Sequence, residues 1–442
     1  MATHPLTEEQ LDLLRHAGGG ALLRPVQRLL EALVGRGHDA VIIGGAVRDL
    51  LLGRSPGDLD LATSATPDMV LGLAEDEGWL PIPVGKAFGV VRIRLDGAEF
   101  EVATYRSEAA YTDGRRPDLD GIEFQGSLEE DVLRRDFTMN GLALRLLDEE
   151  PAVVDLVGGA EDIRARRIRT IGDPLERFDE DALRPLRAVR FAAVLGFTID
   201  GATAEAMIAR APGLRRVSGE RIQQELTKSC VQGDARVATD ILLRADLLPH
   251  LFEATDSAGL DAELLVDLVA RLPRSPGLPL FLATLAVASE PGGRPGSGAA
   301  ERCARMAGHL RLSRTDTSTA VEVVRGASAL AGAGSLTLPR RADLYRSPHY
   351  ERALSLARAV ASSFGDDEAP LADLNRERAA LPTARLTPPT LVTGEDLKAL
   401  GMSPGPKIGE LLRAVQDAQV SGEIGVREEA LAWIRRKIGG EE

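Results

Sequence analysis

Several things that would narrow the chemistry are scarce in this sequence. Only two of its 442 residues are cysteines, Cys230 and Cys303, far apart and outside any CxxC. That excludes a disulfide framework and a zinc site of Cys/His spacing, and both thiols are expected as small buried hydrophobes in a reducing cytoplasm. No apolar run reaches the roughly 18–20 residues of a membrane span. The opening "MATHPLTEEQLDLLRHAGGG" has no basic stretch followed by an apolar one, so no signal peptide is expected. It reads instead as a polar, partly helical lead-in over residues 1–24, loosely held. Positive charge is also short: 53 Lys and Arg face 67 Asp and Glu, a net charge of −14. This argues against a nucleic-acid coat protein but leaves room for an enzyme whose basic groups are local. Such clusters occur at Arg164–Arg169 ("RARRIR"), Arg215–Arg221 ("RRVSGER") and "IRRK" near the C-terminus, each also compatible with a solvated helix face.

With 44% hydrophobic residues the chain can bury large cores, and at about 100–200 residues per domain two to four domains are expected. From Gly37 to Leu156 short strand-like and helix-like pieces alternate. "AVIIGG" reads as a buried strand, "VRDLLLG" as a short helix ending on Gly53, and "DLDLAT" as a half-buried strand of period two. "DMVLGLAEDEG" is an amphipathic helix with Gly78 as its cap, and "GVVRIRLDGAEFEVATYR" two strands about an Asp96-Gly97 turn. "ALRLL" and "AVVDLV" are further strands. After Ala160 long helical periodicity takes over, broken at Ser289–Gly298 and loosened at Leu381–Thr390. The fold class is α+β: a mixed sheet with helices, then a mostly helical remainder.

Four stretches carry chemistry. In "DLD" a period of two puts Asp58 and Asp60 on one face, with Leu59 and Leu61 on the other. Two carboxylates so close repel unless exposed or neutralised by a divalent cation, and oxygen ligands of this kind suit magnesium. A bare DxD is more often a solvated turn. Here, however, Gly44 and Gly45 end a strand just upstream, where a phosphate can approach the backbone, and Arg48 follows. Glu99 and Glu101 share a face opposite Phe100 and Val102, and Glu101 is the preferred third carboxylate for two-metal phosphoryl transfer. In "EEDVLRRDFTMNGLAL", Arg134 and Arg135 suit phosphates, and Asp136 and Asn140 would share a helical face. In "RFDEDALRPLRAVRFAAVLGF", Asp181, Arg184, Arg187 and Arg190 recur every three residues along one helical face. An Asp acceptor beside an Arg donor can bond a base edge while further arginines reach phosphates, and Pro185 inside a helix would bend it. A salt-bridged helix explains the same spacing.

These motifs resemble a known family. "GGAVRDLLLGRSPGDLD", "YRSEAAYTDGRRPD", "RRDFTMNGLAL", "RFDEDALRPLRAVRFA" and "SGERIQQEL" are similar, in content and order, to those of class II tRNA nucleotidyltransferases. That family is shared by bacterial CCA-adding enzymes and bacterial poly(A) polymerases, within the polymerase β-like nucleotidyltransferases. The resemblance covers about Val41 to Leu226, and the tail from "TGEDLKALGMSPGPKIGELLRAV" resembles the family's C-terminal RNA-binding region. Ala235 to Leu386 carries no usable motif.

The resemblance implies roles. Asp58 and Asp60 hold two magnesium ions and Glu101 is the third carboxylate. Gly45, Arg48 and Arg135 contact the incoming nucleotide. Asp181 and Arg184 act as a protein template for CTP or ATP, and Arg187 and Arg190 complete that site. "AAYTDGRRPD" resembles the loop linked to the switch from C to A addition. Two departures stand out: Gly141 where alanine is usual, and Pro185 after the template arginine. His250 is followed by Leu251, so no appended metal-dependent phosphohydrolase domain is expected. The implied organisation is a lead-in (1–24), a nucleotidyltransferase head (25–160), a helical neck with the template helix (161–235), a helical body (236–390) and a tRNA-binding tail (391–442). The implied activity is addition of CMP and AMP to a tRNA 3′ end with release of pyrophosphate. A poly(A) polymerase, a CC-only or A-only enzyme and, from another class, an inactive RNA-binding module remain as alternatives. The carboxylate set argues against the last.

Overall fold

The computed structural model describes residues 2–82, 89–106, 126–252, 256 and 259–439, which divide into two units, Met1–Leu251 and Phe252–Glu442. The first unit opens with β1 (Ala2–Pro5), α1 (Glu8–Arg15), α2 (Leu23–Gly35), β2 (Ala40–Ile43), α3 (Gly45–Leu51) and β3 (Leu61–Thr63). It continues with α4 (Pro67–Asp76), β4 (Leu80–Ile82), β5 (Val90–Leu95), β6 (Ala98–Thr104), α5 (Leu128–Leu133), β7 (Leu142–Arg145) and β8 (Ala152–Asp155). It closes with α6 (Gly159–Arg164), β9 (Arg167–Ile168), α7 (Pro174–Glu180), α8 (Arg184–Leu195), β10 (Thr198–Ile199), α9 (Gly201–Arg210), α10 (Gly219–Gln232), α11 (Ala235–Arg244) and α12 (Leu248–Leu251).

Among the described residues β1 to β8 form one sheet, ordered β1-β8-β7-β2-β3-β6-β5-β4. Only β3 and β6 run parallel; every other neighbouring pair is antiparallel. Several helices begin where the side chain at the boundary accepts an orphan N–H. Thr66 caps α4 with Pro67 behind it, Ser127 and Glu130 form a capping box on α5, and Asp173 caps α7 ahead of Pro174. One core cluster joins Val41, Ile43, Ala62, Ala143 and Val154 of the sheet to Leu128 and Val132 of α5.

Two expectations change. The lead-in is not loose: β1 pairs with β8 from Ala2↔Asp155 to Pro5↔Ala152, and Leu14 and Ala17 are buried. A free sheet edge recruits the terminal segment through its unpaired backbone groups. The strand after "DLD" is not half-buried either. Leu61, Ala62 and Thr63 are all buried, because β3 lies between β2 and β6.

In the second unit the helix Leu278–Ala288 is apolar all round and buried at ten of its eleven positions. It packs with the helices Ala262–Arg271, Ser297–His309, Arg314–Ala331 and Tyr350–Ser363. A separate cluster gathers Val392, Leu397, Val415, Ala418, Ile424, Ala430 and Ile434. Leu381–Thr390 is not wholly loose, since Thr383–Leu386 makes a helical turn. Among the described residues no helix is long and apolar enough to cross a membrane.

Candidate active site

The site starts where β2 turns into α3. Gly44 sits at φ 82°, ψ −131°, a conformation that side chains make costly. A Cβ on Gly44 would lie 3.5 Å from Nη1 of Arg135, and one on Gly45 would lie 3.5 Å from Nη2 of Arg48. The two bare glycines thus make a floor with a guanidinium over each.

The carboxylates stand beside this floor. The Asp60 carbonyl accepts from the Ile43 N–H at 3.0 Å, tying "DLD" to β2. Asp58 and Asp60 lie in the extended lead into β3 rather than within the strand itself. Leu61 pairs with Val102 of parallel β6, so Asp60, one residue back, lies beside Glu101. Leu59, Leu61, Phe100 and Val102 are buried, while Asp58, Asp60, Glu99 and Glu101 are exposed. Desolvation, then the Asp58 and Glu101 carboxylates, push the Asp60 carboxyl up to about 6 against the pull of Arg135. Asp60 is exposed by surface area, so the repulsion among the three carboxylates matters more than desolvation. Glu99 is engaged elsewhere: Arg94 Nε donates to it at 3.0 Å across the hairpin.

These groups fit a hard divalent cation. The donors are all oxygen, and their crowding leaves the corner short of positive charge. Among the described residues no three or more His, Cys, Asp or Glu side chains converge to hold an ion by themselves. An ion there would draw further oxygens from substrate, which is how magnesium is commonly held at phosphates.

Next comes the arginine side. Asp131 is fully buried and holds both arginines of the RRD motif. It accepts from Arg135 Nε at 3.2 Å and Nη2 at 2.9 Å, and from Arg134 through its other oxygen at 3.0 Å. Asp136 and Asn140 do not share a helix. The helix ends at Leu133, and Thr138–Asn140 is a 3₁₀ turn. That turn still brings the pair together, Asn140 Nδ2 donating to Asp136 Oδ1 at 3.2 Å. Asn140 in turn accepts from Arg48 Nη1 at 3.0 Å, and Arg48 also bonds Asp49. Arg187 Nε donates to Asp136 Oδ2 at 2.8 Å, and Arg190 pairs with Glu225. Burial alone would raise the Asp136 carboxyl. The Arg187 charge and the bonds from Arg187 and Asn140 outweigh it and hold that carboxyl at about 2.

The template segment folds differently from the continuous helix expected. α7 stops at Glu180, Asp181 is extended at φ −140°, ψ 102°, and α8 begins at Arg184. Pro185 therefore lies in the first turn of a new helix, where its missing N–H costs nothing, and it makes no bend. Asp181 sits in the joint and not on the arginine face. Its Oδ1 accepts the Leu183 N–H at 3.0 Å and its Oδ2 takes Arg221 at 2.7 Å. Arg184 is buried, its guanidinium bonded to the carbonyls of Arg177 and Arg134 (both 2.9 Å) and to Glu180 (2.6 Å). Gly141 also has a local reason: a Cβ there would lie 2.9 Å from Ile171 Cδ1 and 3.0 Å from Val157 Cγ2.

The structure thus gathers Asp58, Asp60, Glu101, Gly45, Arg48 and Arg135 in one corner, and links Arg48 through Asn140 and Asp136 to Arg187. The "AAYTDGRRPD" stretch, 109–118, lies outside the described residues.

Comparison with known proteins agrees with this layout. A family model described as "Poly A polymerase head domain" matches residues 40–169. One for a "Probable RNA and SrmB- binding site of polymerase A" matches 196–258, and one for tRNA nucleotidyltransferase domain 2 matches 308–434. The CCA-adding enzyme of Geobacillus stearothermophilus is 34% identical over 415 residues, covering 92% of this chain and 96% of that protein. The chain belongs to the CCA-adding enzyme family. Family membership extends to structure. The crystal structure of the Bacillus stearothermophilus CCA-adding enzyme in complex with CTP matches with a TM-score of 0.74 at 31% identity, over 94% of this chain and 98% of that one. A Thermotoga maritima CCA-adding enzyme complexed with tRNA-CCA shares the fold at a TM-score of 0.70 and 20% identity, over 99% of this chain and 100% of that one.

Within this family frame, four residues that hold the site were not singled out from sequence: Asp49, Asp131, Arg221 and Glu225. Asp131 lies three and four residues before Arg134 and Arg135, the spacing of helical ion pairs, which is a readable signal. Arg221 and Glu225 pair with residues 40 and 35 positions away, respectively, which no local pattern announces. Contrary to the expectation of no His-Asp pair, His38 is followed by Asp39, and Asp39 is engaged within the sheet domain, accepting from Arg145 at 2.8 Å and from the Tyr105 hydroxyl at 3.1 Å.

Proposed function

We propose that this chain completes tRNA 3′ ends, adding CMP and AMP from CTP and ATP and releasing pyrophosphate. The observation that carries the reading is the alignment of Asp58, Asp60 and Glu101 beside the bare Gly44–Gly45 turn, with Asp60 raised to about 6. A relative named CCA-adding enzyme, matched over 96% of its length, supports the same activity.

The 3′-hydroxyl oxygen of the tRNA attacks the α-phosphate in line, and the bond to pyrophosphate breaks as the new ester forms. Asp58 and Asp60 hold magnesium, which when bound supplies positive charge to the reacting phosphate and the attacking oxygen. Glu101 is the third carboxylate of this corner. The Gly45 backbone with Arg48 and Arg135 cradles the triphosphate, the glycines allowing close approach and the guanidiniums bonding phosphate oxygens. Asp181 and Arg184 select the base edge, and Arg187 and Arg190 complete the nucleotide site. For Arg184 to bond a base, its contacts to Glu180 or the Arg134 and Arg177 carbonyls must yield in part. We assign 25–160 to the head, 161–235 to the neck, 236–390 to the body and 391–442 to a tRNA-binding tail. We place the chain in the cytoplasm, since Cys230 and Cys303 are free, buried thiols held up near 12 by desolvation.

The test uses tRNA transcripts ending before CCA, after C and after CC, with an unrelated RNA as control, and supplies CTP and ATP separately. Stepwise growth to CCA on tRNA alone is the expected result. Growth that stops at CC, single A addition, or long A tracts on any RNA would replace it with the CC-only, A-only or poly(A) reading.

A further inference from the structure

Phe191 lies in α8 and is 5% exposed, its ring edge-to-face with Phe137 at 5.8 Å between centroids. Three guanidiniums gather over this one ring. Arg190 is 3.8 Å from its centroid, Arg48 is 5.5 Å away and Arg187 is 5.7 Å away. Arg48 comes from α3, beside the Gly44–Gly45 turn, and the other two from α8. Each also meets a carboxylate: Asp49, Glu225 and Asp136 respectively for Arg48, Arg190 and Arg187.

Three like charges held this close repel one another and need a compensating surface. A carboxylate supplies one by taking the N–H edges of a guanidinium, the same edges a phosphate needs. An aromatic face attracts the guanidinium through its plane and leaves the in-plane donors to an acceptor. The ring therefore gathers the arginines without competing for their N–H groups.

We propose that Phe191 is a positioning residue for the triphosphate. Its π face holds Arg48, Arg187 and Arg190 as one preoriented platform, so that the phosphate oxygens meet guanidiniums already in place. This rests on the reading above that these arginines address the nucleotide.

The test replaces Phe191 with phenylalanines carrying one, two and three ring fluorines. They keep the side chain's shape while draining negative charge from its face. The expected result is a stepwise rise in KM for both CTP and ATP, reaching about tenfold with three fluorines, with kcat held within about twofold and thermal unfolding unchanged. Phe191→Leu, which keeps an apolar filling but has no π face, should raise KM by a similar factor. A flat KM across the fluorinated series overturns the proposal, as does a rise confined to one nucleotide. Arg48→Ala and Arg187→Ala separate the two levels. If they raise KM while the fluorinated series stays flat, the inference about Phe191 fails alone. If they also leave KM unchanged, the assignment of the arginines to the nucleotide fails with it.

Discussion

At the DxD corner desolvation and the neighbouring Asp58 and Glu101 carboxylates push the Asp60 carboxyl up to about 6. At the α8 corner Asp136 and Glu225 are buried, and each is matched by arginine, with Asp136 held down at about 2. The two corners treat the same side chain in opposite ways. The first keeps negative charge partly uncompensated, a state that folding alone does not favour and that a bound cation relieves. The second satisfies every partner it brings together and so fixes geometry. Asp136, buried and matched by Arg187, is held down, while Asp60, crowded by like charges, is pushed up.

The largest break in this contrast is expected from Asp60→Ala. Incorporation of CMP into tRNA should fall by roughly a thousandfold or more, because the proposed metal ligand is gone. Binding of tRNA, measured by filter retention, should stay within about twofold. Turnover near wild type would mean that the exposed carboxylates are ordinary surface groups.

Asp181→Ala addresses the joint between α7 and α8. The choice of CTP and ATP over GTP and UTP should weaken by roughly a hundredfold in kcat/KM, as expected when a site loses an acceptor built to meet a donor. Arg221 would lose its partner at the same time. Arg221→Ala is therefore the control: it should blur selectivity less than Asp181→Ala, since it loosens the acceptor without removing it.

Asp136 sharpens the second corner through pH. Its native carboxyl is depressed to about 2, while an unfolded aspartate titrates near ~3.9. A depressed carboxyl adds stability that is present above the unfolded value and is lost as pH falls through the native one. The wild type should therefore lose about 2 kcal/mol between pH ~4 and ~2 from this group. Asp136→Asn should be less stable at neutral pH and flatter across that window, measured by urea unfolding at a series of pH values. Parallel curves would show that the Arg187 pair contributes nothing to the pH response.

How much of this was readable in the sequence depended on the range of the interaction that decides each feature. The β5–β6 hairpin was legible because Asp96 and Gly97 turn at φ 52° and 82°, a demand those residue types announce. The "DLD" alternation was legible because Leu59 and Leu61 must face the core, which leaves both aspartates outside. The break between α7 and α8 was not. Its spacing fits one helix, but Asp181 bonds its own Leu183 N–H and is held by Arg221, 40 residues further on. Pro185 was misplaced for the same reason, since a proline in mid-helix and one in a first turn look alike until the helix start is known. The 3₁₀ turn at Thr138–Asn140 was hidden because Asp136 and Asn140 meet across a turn as readily as along a helix.

The smallest effect is the most discriminating within one strand. Glu99 and Glu101 occupy the same face of β6, two residues apart, and composition and alternation treat them alike. Both lie opposite an arginine of β5, Arg94 for Glu99 and Arg92 for Glu101, and the difference is in the bonding and in the neighbour on β3. Glu99 lies opposite Arg94 in the hairpin and is bonded by it, which lowers its carboxyl. Glu101 lies beside Asp60 and contributes to raising it. Glu99→Gln should leave CMP incorporation within about twofold, because an exposed cross-strand pair contributes little. Glu101→Gln has nearly the same size and shape but removes a charge from the reacting corner, and should cost far more in kcat than in tRNA binding. Equal loss from both substitutions would make the strand face a uniform acidic surface, and the third carboxylate would then have to be sought elsewhere.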